Sequence, residues 1–267
     1  MLYSRALLAP ALPTLLLDEH RRDRTPMLEA LAAESERLYR DPPEVVFALS
    51  ARWVSDGPFF VDVGARHRTL TDYIGLGVEV RYDSPGHPTL ARALIESATA
   101  ADVRIGPAER GVDSGVTIPM HFLFPRPGMP VVPLSLAEQS DEACRAFGAA
   151  IRAFATARPE RILFVIGGAL SFDEHAWNFR REVPEAIEFD AHVLRVLREG
   201  DWNAIGEVSH RVWDRARPHA RLRHLEVMRG FLGADLPGEV AAHESHPGLG
   251  AALVSFEVPE APRLPVE

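Results

Sequence analysis

Histidine offers the widest chemistry of any side chain in this sequence, and several of its eleven copies lie in short clusters. His243 and His246 lie in AAHESHPGLG, whereas His219 and His224 lie in the arginine-rich segment RPHARLRHLE. Imidazole binds metals and exchanges protons near neutral pH. Neither pair has the spacing of helical zinc proteases, in which two histidines four residues apart enclose a glutamate. We therefore expect all four histidines to be solvated surface residues.

Glycine and serine motifs give weaker signals. Gly167 and Gly168 follow the apolar run RILFVI, so they fall at the carboxyl end of a predicted strand, where α/β proteins bind ligands. Ser171 is not part of a Gly-x-Ser-x-Gly elbow, which argues against a serine hydrolase. The stretch GVDSGVTIP, residues 111–119, is typical of a tight turn in which Gly115 permits a positive φ.

Residue counts exclude several kinds of chemistry. Cys144 is the single cysteine, so one chain forms no disulfide and no thiolate-rich zinc or iron–sulfur site. Its setting, DEACRAFGAA, predicts a helix and a buried structural thiol. The sequence contains no lysine, and all 29 basic residues are arginine. This excludes a Schiff-base lysine and the lysine of a phosphate-binding P-loop.

Charge and hydropathy restrict partners and location. The net charge is −9, and acidic and basic residues are interspersed without a basic run, so we expect no nucleic-acid binding. No apolar run reaches the roughly 20 residues that span a bilayer, so we expect no membrane association. The N-terminal MLYSRALLAP has a charge within its apolar stretch and lacks a clear signal-peptide layout. These features predict a cytoplasmic protein.

Alternating strand and helix patterns predict the elements that position any site. Strands are predicted at Ala6–Ala9, Val45–Ser50, Phe59–Val63, Val78–Tyr82, Val131–Leu136, Arg161–Ile166 and Ala252–Val258. Helical patterns include those over Leu136–Arg158, Pro184–Glu199 and Leu222–Leu232. We expect one α/β domain over residues 1–256, with a central mixed, largely parallel sheet flanked by helices. The proline-rich residues 257–267 are expected to form a C-terminal tail.

A series of short motifs follows this predicted order of elements. They are Pro10-Ala11-Leu12-Pro13, Ser50-Ala51-Arg52-Trp53, GVDSGVTIP, PVVPLSL, Gly168-Ala169-Leu170-Ser171-Phe172, Glu188-Phe189-Asp190, Gly200-Asp201 and Glu244 before a glycine-rich final strand. In their collinear order these motifs resemble those of class III extradiol ring-cleavage dioxygenases, the LigB-type superfamily. The resemblance covers nearly the whole chain and implies the LigB-like α/β fold.

The resemblance also shows where this sequence departs from the family. In LigB-type enzymes Fe²⁺ is held by two histidines and a glutamate, and further histidines act as acid and base. Here Ala11 and Arg52 stand at the two histidine-ligand positions, and Ser114 and Phe172 stand at the acid/base positions. Only Glu244 remains as a ligand-type residue. Alanine has no donor atom and guanidinium is a permanent cation, so we expect no metal and no iron cofactor.

Arg52 and Glu244 invite a specific structural hypothesis. A buried carboxylate without its metal needs another positive group, and Arg52 could supply one by pairing with Glu244. The alternative is that Arg52 turns toward solvent and Glu244 is an ordinary loop carboxylate.

Three functions follow from the resemblance and its departures. The first is a catalytically degenerate member, acting as a homo-oligomer or as the non-catalytic subunit of a hetero-oligomer with a catalytic homologue. The second is an active iron dioxygenase whose metal site is rebuilt from relocated histidines, for which the candidates are His20, His121, His175 and His243. The third is a non-catalytic binder of a small aromatic or carboxylate ligand, with Arg52 as the carboxylate clamp.

Overall fold

Strands and helices alternate along most of the chain in the computed structural model, which describes residues 2–73, 77–78 and 80–259. The strands are β1 (Leu2–Pro10), β2 (Val45–Ser55), β3 (Phe59–Asp62), β4 (Arg66–Arg68), β5 (Asp83–Pro85), β6 (Ile105–Ala108), β7 (Val131–Ala137), β8 (Ile162–Gly168), β9 (Gly238–His246) and β10 (Leu249–Glu257). The α-helices are α1 (Thr14–Arg21), α2 (Pro26–Arg40), α3 (Pro88–Ala100), α4 (Ser114–Leu123), α5 (Asp141–Thr156), α6 (Glu174–Asn178), α7 (Pro184–Glu199), α8 (His210–Ala216) and α9 (Arg223–Leu232). Short 3-10 helices span Trp202–Gly206 and His219–Leu222.

A mixed eight-stranded sheet forms the centre of the molecule. Its strand order is β6-β3-β7-β2-β8-β1-β10-β9, and β4 pairs with β5 in a separate two-stranded sheet. The central strands β7, β2, β8 and β1 run parallel, as do β3 and β6. The β3–β7, β1–β10 and β10–β9 pairs are antiparallel. The predicted single α/β domain with a mixed, largely parallel sheet is therefore confirmed.

Helices cover both faces of this sheet, so its central strands are buried on both sides. Along β2, Val46 and Ala48 pack in a core with α1, α2 and α4, while Phe47 and Leu49 pack in a second core with α3, α5, α7 and α9. The alternation follows from the two-residue period of a strand. Because β1, β2, β7 and β8 are parallel, their carboxyl ends meet at one edge of the sheet, where ligand sites of α/β folds are found.

Cys144 lies fully buried in α5. Burial raises the pKa of its thiol to about 12, so the thiolate is not formed near neutral pH. The prediction of a buried structural thiol is confirmed.

Several predicted elements differ from the structure: β1 and β2 are longer than the predicted Ala6–Ala9 and Val45–Ser50, one predicted strand is not formed in its described residues, and one predicted helix is shorter. The described residues of the predicted strand Val78–Tyr82 lie outside any strand, while Glu79 lies outside the described residues. Thr69 replaces a strand partner there, because its hydroxyl donates to the Val80 carbonyl at 3.0 Å and accepts from the Tyr82 N–H at 2.6 Å. The helix predicted over Leu136–Arg158 begins later, at Asp141, because Leu136 completes β7.

The predicted C-terminal tail is only partly described. Glu257 ends β10, and residues 260–267 lie outside the described residues. At the last described position, Pro259, the backbone carbonyl accepts a hydrogen bond of 3.0 Å from Arg152. The boundary between domain and tail stays a prediction.

Candidate functional site

A cavity of about 200 Å³ opens beside the carboxyl ends of the central strands. Leu12 and Pro13, directly after β1, form one side of it, and Arg52 enters from β2. Phe172 and Trp177 contribute aromatic walls from the segment after β8. The cavity therefore lies where the parallel-sheet topology predicts a ligand site.

Ser50 bends β2 so that Arg52 leaves the strand toward the cavity. Its hydroxyl accepts hydrogen bonds from the backbone N–H groups of Arg52 (3.1 Å) and Trp53 (3.2 Å), and the pairing register of β2 with β7 shifts after Ser50. The same hydroxyl donates to Asp113 Oδ1 at 2.6 Å. Because Asp113 and Ser50 are both buried, this hydrogen bond fixes the bend.

Asp113 also starts α4, which corrects the tight turn predicted over 111–119. Its carboxylate accepts from the Gly115 N–H at 3.0 Å as a helix N-cap, and from Arg110 Nη1 at 2.7 Å. Gly115 has no positive φ. Instead, a Cβ there would collide with the hydroxyl of Ser50, so glycine is needed for close approach and not for an unusual backbone angle.

Arg52 is held in the cavity by two carboxylates and an aromatic ring. Its Nε donates to Asp72 Oδ2 at 2.6 Å, and its Nη2 lies 3.3 Å from Glu174 Oε1. Its guanidinium stacks 5.1 Å above the centroid of the Phe172 ring. Asp72 is itself fixed by Ser114, whose N–H (3.0 Å) and hydroxyl (2.8 Å) both donate to it. The sequence patterns gave no indication of Asp72, which lies in the irregular segment between β4 and β5.

His219 and His224 lie inside the protein, so their predicted surface location is wrong. His224 is fully buried, and the His219 ring stacks against Phe172 at 4.4 Å between centroids. His219 Nδ1 accepts from the Ala169 N–H at 3.0 Å. Burial lowers the pKa of His219 well below its usual value and that of His224 to about 4, so both rings are neutral at pH 7.

A strained backbone carries these two histidines. Arg217, Ala220, Arg221 and Leu222 all have positive φ, between 47° and 61°. Each such residue costs of order 1–3 kcal/mol and is kept only where the surroundings enforce it. Here the His219 N–H is tied to the Leu170 carbonyl at 2.8 Å, which holds the segment against the end of β8. This conformation places the ring of His219 behind Phe172.

Ala11 and Glu244 make their contacts with residues other than the charged group around Arg52. Ala11 is buried, and its N–H donates to the Gly168 carbonyl at 3.0 Å. Glu244 lies on the edge strand β9, where its Oε2 is 3.6 Å from His246 Nε2. The pKa of the Asp18 carboxyl is raised, mainly by burial and secondly by repulsion from the negative charge of Glu244. The hypothesis that Arg52 pairs with Glu244 is wrong, because each has other partners.

Of the candidate histidines for a relocated metal site, His20 and His121 line one open cavity with Glu19, whereas His175 and His243 have other neighbours. His121 in α4 lies 2.7 Å from Glu19, whereas the His175 ring packs 4.6 Å from that of Phe179. His243 Nε2 is 3.8 Å from Asp190, a buried residue whose carboxylate accepts from the N–H and the hydroxyl of Ser171. The other candidate, His20, is exposed near the end of α1. In residues 2–73, 77–78 and 80–259, no three His, Cys, Asp or Glu side chains are placed to hold a metal ion.

Comparison with known proteins assigns the family. A family model described as the catalytic LigB subunit of aromatic ring-opening dioxygenase matches residues 7–256. The chain belongs to the LigB family. It is 23% identical over 237 residues to the 4,5-DOPA dioxygenase extradiol of Beta vulgaris, with 85% of this chain and 87% of that protein covered. It is also 23% identical over 230 residues to the Mirabilis jalapa protein of the same name, with 83% of each covered.

A solved structure supports the LigB fold. The uncharacterized protein JW3007 from Escherichia coli K12 superimposes with a TM-score of 0.66 at 20% identity. The match covers 94% of this chain and 99% of that one, so the two share the fold along almost their entire length.

Among the described helices, none combines the length and apolar character needed to cross a membrane.

The residues of this LigB-family chain do not fit the iron that the family uses. Ala11 offers no donor atom, and Arg52 places a guanidinium that carries a permanent positive charge in the cavity. Ser114 stands at one of the two positions where LigB-type enzymes carry an acid/base histidine, and its hydroxyl donates a hydrogen bond to Asp72. Phe172, at the other, has no exchangeable side-chain proton.

Proposed function

We propose that this LigB-family chain is catalytically degenerate and does not cleave aromatic rings. The observation that carries the proposal is the place of Arg52, whose guanidinium is fixed by Asp72 at 2.6 Å and stacked on Phe172. A cation held this firmly repels a metal ion from the same space. Three of the histidines proposed for a relocated site have different neighbours, Glu19 for His121, Asp190 for His243 and Phe179 for His175, which supports the same proposal.

The cavity supports binding without reaction. Its walls combine the aromatic rings of Phe172 and Trp177 with the charged groups of Arg52, Asp72 and Glu174. Apolar walls with a few fixed polar groups are typical of small-molecule sites. We propose that it holds a small aromatic or carboxylate ligand and leaves it chemically unchanged.

We propose that the chain acts in the cytoplasm, either as a homo-oligomer or beside a catalytic homologue as its non-catalytic subunit. Light scattering on the purified protein measures the first arrangement. Co-purification with a tagged catalytic homologue measures the second.

Metal analysis and oxygen uptake test the loss of ring cleavage. After incubation with Fe²⁺ under anaerobic conditions and desalting, we expect far less than one iron per chain. We expect no oxygen uptake with catechol, protocatechuate or 2-aminophenol, because the cavity lacks the ligand and proton-transfer groups of the family. The Beta vulgaris 4,5-DOPA dioxygenase extradiol, assayed with DOPA, serves as the active control. Stoichiometric iron with uptake that His175→Ala or His243→Ala abolishes would overturn the proposal.

A further inference from the structure

We propose that Glu174 occupies the place of a ligand carboxylate on Arg52, and that the cavity takes a single-ring aromatic acid that displaces it. The inference rests on the proposed function only in using this cavity as a binding site. It adds the chemical class of the ligand and assigns Glu174 as an internal competitor for it.

The two carboxylates on Arg52 are held very differently. Asp72 is 22% exposed, lies 2.6 Å from Nε and accepts two further hydrogen bonds from Ser114. Glu174 is 60% exposed and meets Nη2 at a longer distance of 3.3 Å. Exposed ion pairs of this kind contribute little, because water and salt screen them. Asp72 therefore anchors the guanidinium, while Glu174 is the partner that a ligand can replace.

Arg52 keeps donors available for a second carboxylate. Its Nε donates to the Asp72 carboxylate, and Nη2 makes two long contacts, 3.3 Å to Glu174 Oε1 and 3.5 Å to the Asp72 carbonyl. Within the part of the chain that the structure describes, Nη1 makes no hydrogen bond. A ligand carboxylate that takes Nη1 and Nη2 together would gain the paired geometry that Glu174 lacks.

The remaining walls favour an aromatic body on that carboxylate. Phe172 and Trp177 line the cavity together with the apolar Leu12 and Leu249. A volume of about 200 Å³ is below the usual range for drug-sized ligands, which suits a single ring. An aromatic acid can contact both parts of the cavity at once: its ring packs against the apolar walls, and its carboxylate pairs with the guanidinium of Arg52.

Glu174 can leave without disrupting its surroundings. It lies in the first turn of the five-residue helix α6, and that helix is capped by Asp173, not by Glu174. Asp173 has its own positive neighbours in Arg181 and Arg217, each 3.5 Å away. Rotation of the Glu174 side chain toward solvent therefore removes one long ion pair and no helix cap.

The inference is tested by isothermal titration of the purified protein with benzoate. The metal content of the same protein sample is measured beforehand. Wild type is expected to bind benzoate more tightly than benzamide, because only the carboxylate pairs with Arg52. Glu174→Gln is expected to tighten benzoate binding about fivefold, since the competing charge is gone. It should leave benzamide binding nearly unchanged. Glu182→Gln, at an exposed position eight residues along the chain, is the matched control and should behave as wild type.

Arg52 variants separate the ion pair from cavity shape. Arg52→Gln is expected to abolish the preference for benzoate over benzamide, and Arg52→Lys to restore part of it without the paired geometry. Unchanged or weaker benzoate binding by Glu174→Gln overturns the inference, as does equal binding of benzoate and benzamide or no binding by any form. Bound iron or ring cleavage in the same sample would instead count against the proposed function, so the two failures are distinguishable.

Discussion

Lowering the pH from 7 to 4 is expected to remove about 3 kcal/mol of folding free energy through His224 alone. Burial lowers the pKa of this ring in the folded protein to about 4, against an ordinary value of 6.5. Between these two values the unfolded chain binds the proton and the folded chain does not. The contribution is therefore complete above pH 6.5 and is lost as the pH falls toward 4.

Replacement of His224 by leucine isolates this contribution. Neither ring nitrogen of His224 makes a hydrogen bond of normal geometry among the described residues, although the backbone groups of Ala169 and His219 lie close enough to raise its pKa, so leucine removes a poorly satisfied buried group. We expect His224→Leu to equal or exceed wild type in stability at pH 7 and to exceed it by about 3 kcal/mol at pH 4. Urea unfolding followed by circular dichroism between pH 4 and 8 measures both values.

The difference between wild type and variant is the informative quantity, because other groups titrate in the same range. Burial raises the pKa of Asp190, so that carboxyl acts in the opposite direction and gains stability as the pH falls. His121→Leu is the control, since that ring is 31% exposed. Parallel pH dependence of wild type and His224→Leu would show that His224 is not held neutral by burial.

Much of the fold could be predicted because its signals are local. The apolar runs that became β2, β7 and β8 are short and bounded by turn residues, so their positions follow from sequence alone, although β2 continues five residues beyond the predicted Ser50. The stretch Val78–Tyr82 alternates apolar and charged residues, which also predicts a strand, but it forms no strand in its described residues. There Thr69, more than eight residues away, bonds the backbone of the segment through its hydroxyl and its own N–H, in place of a neighbouring strand.

The candidate site was predicted in part, for a related reason. Arg52 and Phe172 could be identified because they replace histidines in motifs that resemble those of the family, and the structure brings them together. Asp72 lies in an irregular segment with no motif, and only the fold places it beside Arg52. The burial of His219 could not be predicted, because it depends on a left-handed backbone conformation at non-glycine residues such as Leu222. No residue type in RPHARLRHLE predicts that conformation, because glycine, the usual residue with positive φ, is absent from it.

Gly167→Ala is expected to lower the free energy of unfolding by about 3 kcal/mol, at the upper end for an overpacked core. A Cβ on Gly167 would overlap the backbone carbonyl of Gly115 and lie 3.0 Å from Cγ of Pro119. Gly115 is in the first turn of α4, and backbone cannot rotate away as a flexible side chain can. The alanine is accommodated only if β8 and α4 move apart.

That movement reaches the cavity, which gives the variant a second readout. Ser114 opens α4 and fixes Asp72, which in turn anchors Arg52, so displacement of α4 loosens the guanidinium. We expect Gly167→Ala to weaken benzoate binding as well as to lower the urea midpoint. Gly57→Ala is the matched control, because no atom lies within 4 Å of the added methyl, and it should unfold within about 0.5 kcal/mol of wild type. Equal stability of the two variants would contradict the close contact between β8 and α4 on which the position of Arg52 depends.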